Sequence, residues 1–537
     1  MSWKIIAKLK SRLAAESGAL LTRRGAALRI CLVYPNYYRL GMSNLGFQAV
    51  HAIFNATPGI LCERAFLPDP DDRREHEQSH TPLLSLESRQ PVAGFDIIAF
   101  SISFESDYLH LPAIFRLAGL SPLSADRNGK DPLIMAGGAA LFLNPEPVAD
   151  FIDVICLGEA EVLLPALTTA FAAGAPLRDS LQALLGTIPG IYLPGQEKKP
   201  VVRQYLAALD SCATATTISS PETEFADLHL LELSRGCPRG CRFCAAGFIY
   251  LPYRQRSLAA VKREADKAIQ AGRKIGLVAA AVGDYRGIDE LCRHIVASGG
   301  RFSVSSLRID GLDETMIDLL VASGHKTATL APEGGSQRLR DLIKKGINEE
   351  QILAACERLI AKDILNLKLY FIIGLPTETD DDIAELLALV AKIRELVVAR
   401  AKANRRLGEI TLSVNPFIPK PFTPFQWCGM QPQRTLEKRL ELLKKGVRPL
   451  ANVSLQAESL KESLLQALLS RGDRRLSAFI LKADEAGSWR RGARELGLDV
   501  EKEATRAIPL DEELPWGFIE GTPAELLKRE YRLAFPG

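Results

Sequence analysis

Short apolar runs alternate with longer amphipathic stretches along most of the chain. Trp3, Ile5, Ile6, Leu9 and Leu13 recur among basic residues, which predicts a helix within the first 27 residues. A packing arm is its plainest use, and its short polar face argues against a membrane-surface helix. Leu28–Tyr34 is an apolar run of strand length, followed by a polar loop and a helical pattern over 44–54. Further strands are predicted at Ile60–Phe66, 96–103, 133–136 and 153–157. The last two run into Gly137-Gly138 and Gly158-Glu159. Helical stretches follow to about residues 117 and 172. Buried strands alternating with helices predict a parallel sheet covered on both faces. Residues 191–194 and 200–205 flank a Gly and two Lys, and read as a hairpin closing this unit.

A second strand–helix series begins near residue 230. Its predicted strands are 230–233, 275–281, 301–307, 327–331, 365–373 and 410–414, with helices such as 257–271 and 349–362 between them. Six parallel strands are too few to close a barrel of eight, so an open, partial barrel is expected. Beyond residue 447 the strand signals fade and helical patterns follow at 455–469 and 473–496. The expected α/β architecture therefore has three parts. Residues 1–215 form an arm and a Rossmann-like, doubly wound parallel sheet. Residues 216–447 form a partial (β/α)6 TIM-like barrel, and residues 448–537 a small, mostly helical region.

Composition narrows the function. The 537 residues carry 67 Lys+Arg against 64 Asp+Glu, so no basic excess recommends nucleic acid as a partner. No run of about 18 apolar residues predicts a membrane span. Lys4, Lys8, Lys10 and Arg12 interrupt the N-terminus where a secretory signal needs an apolar centre, so a cytoplasmic location is expected. Ten cysteines then argue against a disulfide framework. Seven are scattered singly, as in Ile155-Cys156-Leu157, and read as small core hydrophobes.

The other three stand in Glu232-Leu-Ser-Arg-Gly-Cys237-Pro-Arg-Gly-Cys241-Arg-Phe-Cys244, directly after a predicted strand. Three thiolates at C-x3-C-x2-C spacing on one loop can ligate three corners of a cubane iron–sulfur cluster. Gly236 and Gly240 let the backbone wrap closely, and Arg235, Arg239 and Arg242 favour thiolate over thiol. The fourth iron is left without a protein ligand. A structural zinc site needs a fourth ligand, and Cys212 and His229 lie upstream without finger-like spacing. An electron-transfer cluster with a distant fourth cysteine is the other alternative. Ligands of open α/β sheets sit at the carboxyl ends of strands. Those ends carry Tyr37–Ser43, Ser101–Phe104, Gly137-Gly138 and Gly158-Glu159, where the glycines also serve simply as turn formers.

The cysteine motif resembles that of the radical S-adenosylmethionine (SAM) superfamily. Thr329-Leu-Ala-Pro-Glu333-Gly-Gly-Ser336, the segment from Lys368 to Gly374-Leu-Pro376-Thr-Glu378, and Ser413-Val-Asn-Pro-Phe-Ile-Pro419 are similar to segments of the subfamily with an N-terminal cobalamin (B12)-binding-like domain. So are Gly137-Gly-Ala-Ala-Leu-Phe-Leu-Asn144-Pro-Glu146 and Gly158-Glu-Ala-Glu161. The resemblance covers roughly residues 28–430. It implies a [4Fe-4S] cluster on Cys237, Cys241 and Cys244 whose open iron holds SAM, reductive cleavage to a 5′-deoxyadenosyl radical, and cobalamin in the N-terminal domain. By the same resemblance Arg308, at the end of the third barrel strand, pairs with the SAM carboxylate unless it pairs with Asp310. Glu333 reaches the SAM amino group or ribose unless it caps a helix. Backbone groups at Gly374 and Pro376 meet adenine, and Phe243 shields the cluster or stacks near adenine. Ser101, Gly137, Gly138 and Gly158 line the cobalamin site.

Two departures matter. Many members have Gly-Gly-Glu after the second barrel strand; here Ala279-Ala-Ala-Val-Gly283-Asp284 stands there, with Asp284 as the replacement acid. Asp-x-His-x-x-Gly is missing, and none of the seven histidines is placed to ligate cobalt. That pattern suits either a cobalamin enzyme without a histidine ligand or a vestigial domain. The resemblance implies methyl transfer to an unactivated carbon of a small molecule or peptide, with an electron donor such as flavodoxin or ferredoxin. The alternatives are a cobalamin-independent rearrangement or ring closure, and a non-catalytic electron-transfer protein. No catalytic side chain is assigned.

Overall fold

The computed structural model describes residues 1–18, 26–172, 186–196 and 199–536. The N-terminal helix α1 (Trp3–Ala15) is a packing arm. Ile5 is buried, and Lys8 pairs with Asp69 and Asp72 of a helix that follows the second strand. Six strands make the first sheet: β1 (Leu28–Tyr34), β2 (Ile60–Phe66), β3 (Ile97–Ser101), β4 (Leu133–Gly137), β5 (Val154–Cys156) and β6 (Ile191–Tyr192). Their order is β2-β1-β3-β4-β5-β6, all parallel except β6. One face is covered by α2 (Leu45–Ala56), started by the Asn44 side chain accepting from Phe47 N, and α3 (Ala160–Ala172); Phe47, Phe54 and Leu167 pack there. Phe100, Phe115 and Phe151 fill the other face. Leu468, Phe479, Ile480 and Trp516 from the C-terminal region complete that second core, so the chain's end is built into the first domain.

The expected hairpin does not form. β6 joins β5 antiparallel, whereas Val201–Val202 pairs in parallel with Ile519–Glu520. Each piece is only two residues long, and Val201 N–H donates to Phe518 O. Local turn signals cannot reveal a partner more than 300 residues away.

The second sheet contains β7 (Leu228–Glu232), β8 (Lys274–Val278) and β9 (Phe302–Val304), all parallel. A parallel bridge from Leu307 to Leu330 continues it into β10 (Thr327–Glu333), β11 (Asn366–Ile373), β12 (Ile410–Pro416) and β13 (Val453–Ala457). Outer helices include α4 (Leu258–Gln270), α5 (Glu349–Ala361), α6 (Asp380–Asn404) and α7 (Gln433–Val447). The open barrel thus has a seventh strand beyond the six expected, past residue 447. Only Val453 of β13 is buried, so this edge strand has almost no apolar pattern. The helix expected from 455 starts instead at Leu460, where Ser459 accepts from Glu462 N, giving α8 (Leu460–Arg471). The 473–496 stretch splits at Gly487 into α9 (Leu476–Glu485) and α10 (Trp489–Glu495). A final helix, α11 (Ala524–Ala534), returns to the barrel mouth. Among the described residues no helix is long and apolar enough to cross a membrane.

Candidate functional site

The cysteine loop leaves the carboxyl end of β7. Ser234–Arg235 pairs antiparallel with Arg254–Gln255, which folds the loop back on itself. Gly236 has φ 82°, and a Cβ there would lie 2.6 Å from Tyr250 O. Only glycine meets both demands. Cys237, Cys241 and Cys244 are free and half-buried. Backbone bonds from Arg242 N to Ile343 O (3.0 Å) and from Phe425 N to Arg242 O (3.1 Å) tie the loop to the barrel rim. Burial raises the Cys241 thiol, opposed by Lys345 and Arg308. Burial pushes Cys244 to about 11, with Cys241, Cys237 and Glu333 adding to the rise. The three thiols therefore share one electrostatic neighbourhood with Glu333. Among the described residues no three His, Cys, Asp or Glu side chains converge on a single metal ion. The donor set is three thiols spread around one loop, which is the chemistry of a polynuclear cluster.

The rim residues divide. Arg308 pairs with Asp310 through Nε (2.9 Å) and Nη2 (2.6 Å). Asp284 accepts from Arg239 of the cysteine loop, and Arg308 stands 3.7 Å from it. Arg308 and Asp284 are thus brought together, but each is already paired. Glu333 ends β10 with φ 63°, a strained backbone for a residue with a side chain, and meets Lys345 at 3.3 Å. Gly374 N–H is not open to adenine: it donates to Glu378 Oε2 (2.6 Å). A Cβ on Gly374 would approach Leu436 to 2.5 Å. Pro376 follows the buried Leu375, and Phe243 packs on the small apolar cluster of Leu375, Phe417 and Phe425.

A cavity of about 540 Å³ separates the first sheet from the cysteine loop. Ser101, Gly137, Gly138 and Gly158 line it from the sheet's carboxyl edge, and Ser234, Arg235, Gly236 and Tyr250 from the loop side. Val50, Phe54, Leu163 and Leu164 line its apolar depth; no histidine lines it. Gly138 has φ 122°, and a Cβ there would collide with Ile102 O. Ser234 Oγ is buried without a hydrogen-bond partner among the described residues. The cavity offers a cradle of bare backbone, apolar depth and an orphaned hydroxyl, which fits a large amphipathic cofactor.

Charge joins the two sides. Glu159 accepts from both terminal nitrogens of Arg254 (2.9 and 2.7 Å), from Arg235 Nη1 (2.8 Å) and from Leu206 N (2.8 Å). Arg235 also holds Glu161 (2.6 Å) and Glu232 (2.9 Å), and Arg256 holds Glu232 (2.6 Å). Burial penalises the Arg235 charge, but Glu232 and Glu161 outweigh that penalty and raise its pKa. Arg254 and Arg256 are absent from the sequence-based assignment. Their i, i+2 spacing after the motif, which puts both on one side of an extended segment, was the available signal.

Two family models match this chain: "Radical SAM proteins, N-terminal" over residues 46–194 and "Radical SAM superfamily" over residues 231–390, which takes in the whole cysteine loop. The chain belongs to the radical SAM superfamily. A relative from Methanocaldococcus jannaschii, named only as uncharacterized protein MJ0966, is 30% identical over 457 residues, covering 84% of this chain and 90% of that one. A probable threonylcarbamoyladenosine tRNA methylthiotransferase of Archaeoglobus fulgidus is 28% identical over 197 residues, 34% of this chain and 46% of that protein. The radical SAM methyltransferase TsrM of Kitasatospora setae, solved with cobalamin and a [4Fe-4S] cluster, aligns at TM-score 0.50 and 17% identity, covering 72% of each chain. This radical SAM enzyme therefore shares that protein's fold.

Proposed function

We propose that this enzyme uses SAM and cobalamin together to methylate an unactivated carbon of a small-molecule or peptide substrate. The carrying observation is the 540 Å³ cavity, walled on one side by Ser101, Gly137, Gly138 and Gly158 and on the other by the cysteine loop. Cobalamin in that cavity would lie directly against the cluster loop. When bound, the cluster and SAM supply a radical that removes a substrate hydrogen, and cobalamin supplies the methyl group.

The chain's own residues hold and exclude. Cys237, Cys241 and Cys244 would hold the cluster, with Lys345 and Arg308 offsetting its charge. Glu333 and Arg308 would hold SAM, Glu333 turning from Lys345 and Arg308 from Asp310. Phe243, packed with Leu375 and Phe425, keeps water from one side of the loop. With no histidine lining the cavity, cobalt would have no imidazole ligand from this chain, which suits a metal whose coordination changes during turnover. A low-potential donor such as flavodoxin or ferredoxin is the expected electron source.

The test is anaerobic purification with hydroxocobalamin, followed by the Co(II) paramagnetic spectrum and mass analysis of SAM products. Corrinoid retained without nitrogen splitting, and formation of 5′-deoxyadenosine under reduction, are expected. Deoxyadenosine without corrinoid retention would favour the cobalamin-independent alternative. Neither would overturn both readings.

A further inference from the structure

A second cavity, of about 520 Å³, adjoins the first; Phe142, Glu159 and Tyr250 line both. Its remaining walls come from separate parts of the chain, with Tyr205, Phe248, Leu251 and Pro252 giving an apolar, partly aromatic surface. Among these walls stands Arg203, only 8% exposed.

Arg203 differs from the other buried arginines near the site. Arg235, Arg254 and Arg256 each meet at least one carboxylate. Among the described residues Arg203 meets none: the one hydrogen bond of its guanidinium runs from Nη1 to Ile249 O (2.9 Å), and Phe422 lies under the guanidinium at 4.8 Å. Glu520 lines the same cavity, but its side chain is exposed and forms no ion pair with Arg203. Gly521 leaves room for the guanidinium; a Cβ there would collide with Nη2. Burial pulls the Arg203 pKa down to about 10, as expected of a cation taken from water without an anion. An arginine fork presents five donors matched to planar oxyanions. Here most of them lack a protein acceptor.

We infer that this second cavity binds a small molecule with a flat apolar body and one oxyanion group, carboxylate or phosphate, with Arg203 as the anion's partner. In the proposed function, on which this assignment rests, the ligand is the substrate, anchored beside the cofactor cavity.

The probes are 2-naphthoate, 2-naphthyl phosphate and neutral 2-naphthamide, titrated into the full-length enzyme by calorimetry. The expected result is that one anion binds at least tenfold more tightly than the amide, and which anion does so tells carboxylate from phosphate. Arg203→Gln should abolish that preference while Arg203→Lys keeps part of it. Arg203 is packed, so Val202→Trp, at a half-exposed position on the cavity wall, is the second variant; it should block the anion in a normally folded protein. Equal binding of all probes, no binding of any, or a preference unchanged in both Arg203→Gln and Val202→Trp would overturn the assignment. So would displacement of the anion by hydroxocobalamin, which would give the pocket to the cofactor. Anion selectivity in a protein that retains no corrinoid would leave the pocket standing and sink the cobalamin reading instead.

Discussion

Glu159→Ala is expected to loosen the joint between the first domain and the cysteine loop. Its side chain is 5% exposed and accepts four hydrogen bonds, two from Arg254, one from Arg235 and one from Leu206 N. Arg235 keeps Glu161 and Glu232 after the substitution, but Arg254 loses its carboxylate partner while 7% exposed. Removing one member of a buried ion pair costs about 3–5 kcal/mol, chiefly because the other charge stays buried. At about 2–4 °C per kcal/mol for a unit of this size, the first melting transition should fall by about 10 °C. Scanning fluorimetry on the protein as isolated measures it. Glu161→Gln is the control: its partner Arg235 retains two other carboxylates, so a loss of about 1 kcal/mol is expected. A Glu159→Ala transition within about 2 °C of the parent, or one no lower than that of Glu161→Gln, would refute the reasoning.

Replacing Cys237, Cys241 and Cys244 together by Ala should remove the brown colour and SAM cleavage; four irons per chain retained in that variant would refute the cluster assignment. Arg308→Ala and Glu333→Ala should each weaken SAM binding about tenfold or more with the cluster intact, since a charge-assisted hydrogen bond is worth about 1.5–3 kcal/mol; unchanged affinity in both would remove them from the site. Asp107 gives a pH test. Burial raises its carboxyl to about 7; the Asn36 amide, donating to Oδ1, and the Phe104 backbone oppose the rise, and Glu105 adds to it. A raised folded pKa means that its contribution is full below the unfolded value near 4 and is lost as pH rises through 7, up to about 4 kcal/mol in all. The parent should melt lower at pH 8 than at pH 5, and Asp107→Asn should shrink that difference; an equal difference in both proteins would rule Asp107 out.

The legible parts of the chain were those where local pattern and global fold agree. Leu28–Tyr34 and 96–103 are apolar runs long enough to be buried strands, and both are interior strands of the first sheet. The cysteine loop was legible because its chemistry depends on spacing alone. Elements that failed were short or held by distant partners. Val201–Val202 pairs only with Ile519–Glu520, and β13 shows one buried residue. The rim residues were picked out without most of their pairings. The sequence offered Asp310 as the alternative partner of Arg308, but nothing in it says that Asp284 is taken by Arg239 or that Gly374 N–H is spent on Glu378.

The two sheets and the C-terminal helices meet through buried charge as well as apolar area. Glu159 and Glu161 of the first domain grip Arg235 and Arg254 of the cysteine loop. Glu105, beyond β3, is 4% exposed and holds Lys420 (2.6 Å) past β12 and Gln466 (3.0 Å) on α8; burial opposes its charge, but the Lys420 charge and the hydrogen bonds from Lys420 and Gln466 together lower its pKa. Glu530 of α11 holds Arg242, inside the cysteine motif, and Lys344. Buried ion pairs add little net stability over apolar packing, yet leaving one charge unpaired is costly. A greasy interface tolerates sliding; these four acids do not, because each shift strands a charge. In the proposed function the reaction passes between the cluster with SAM and cobalamin, so charges that fix the docking register would also fix their separation. The C-terminal helix belongs to this argument. Through Glu530 on Arg242, and through Tyr531 against Trp427 and the following Phe535 against Phe425, it holds the outer side of the loop that carries the three cysteines.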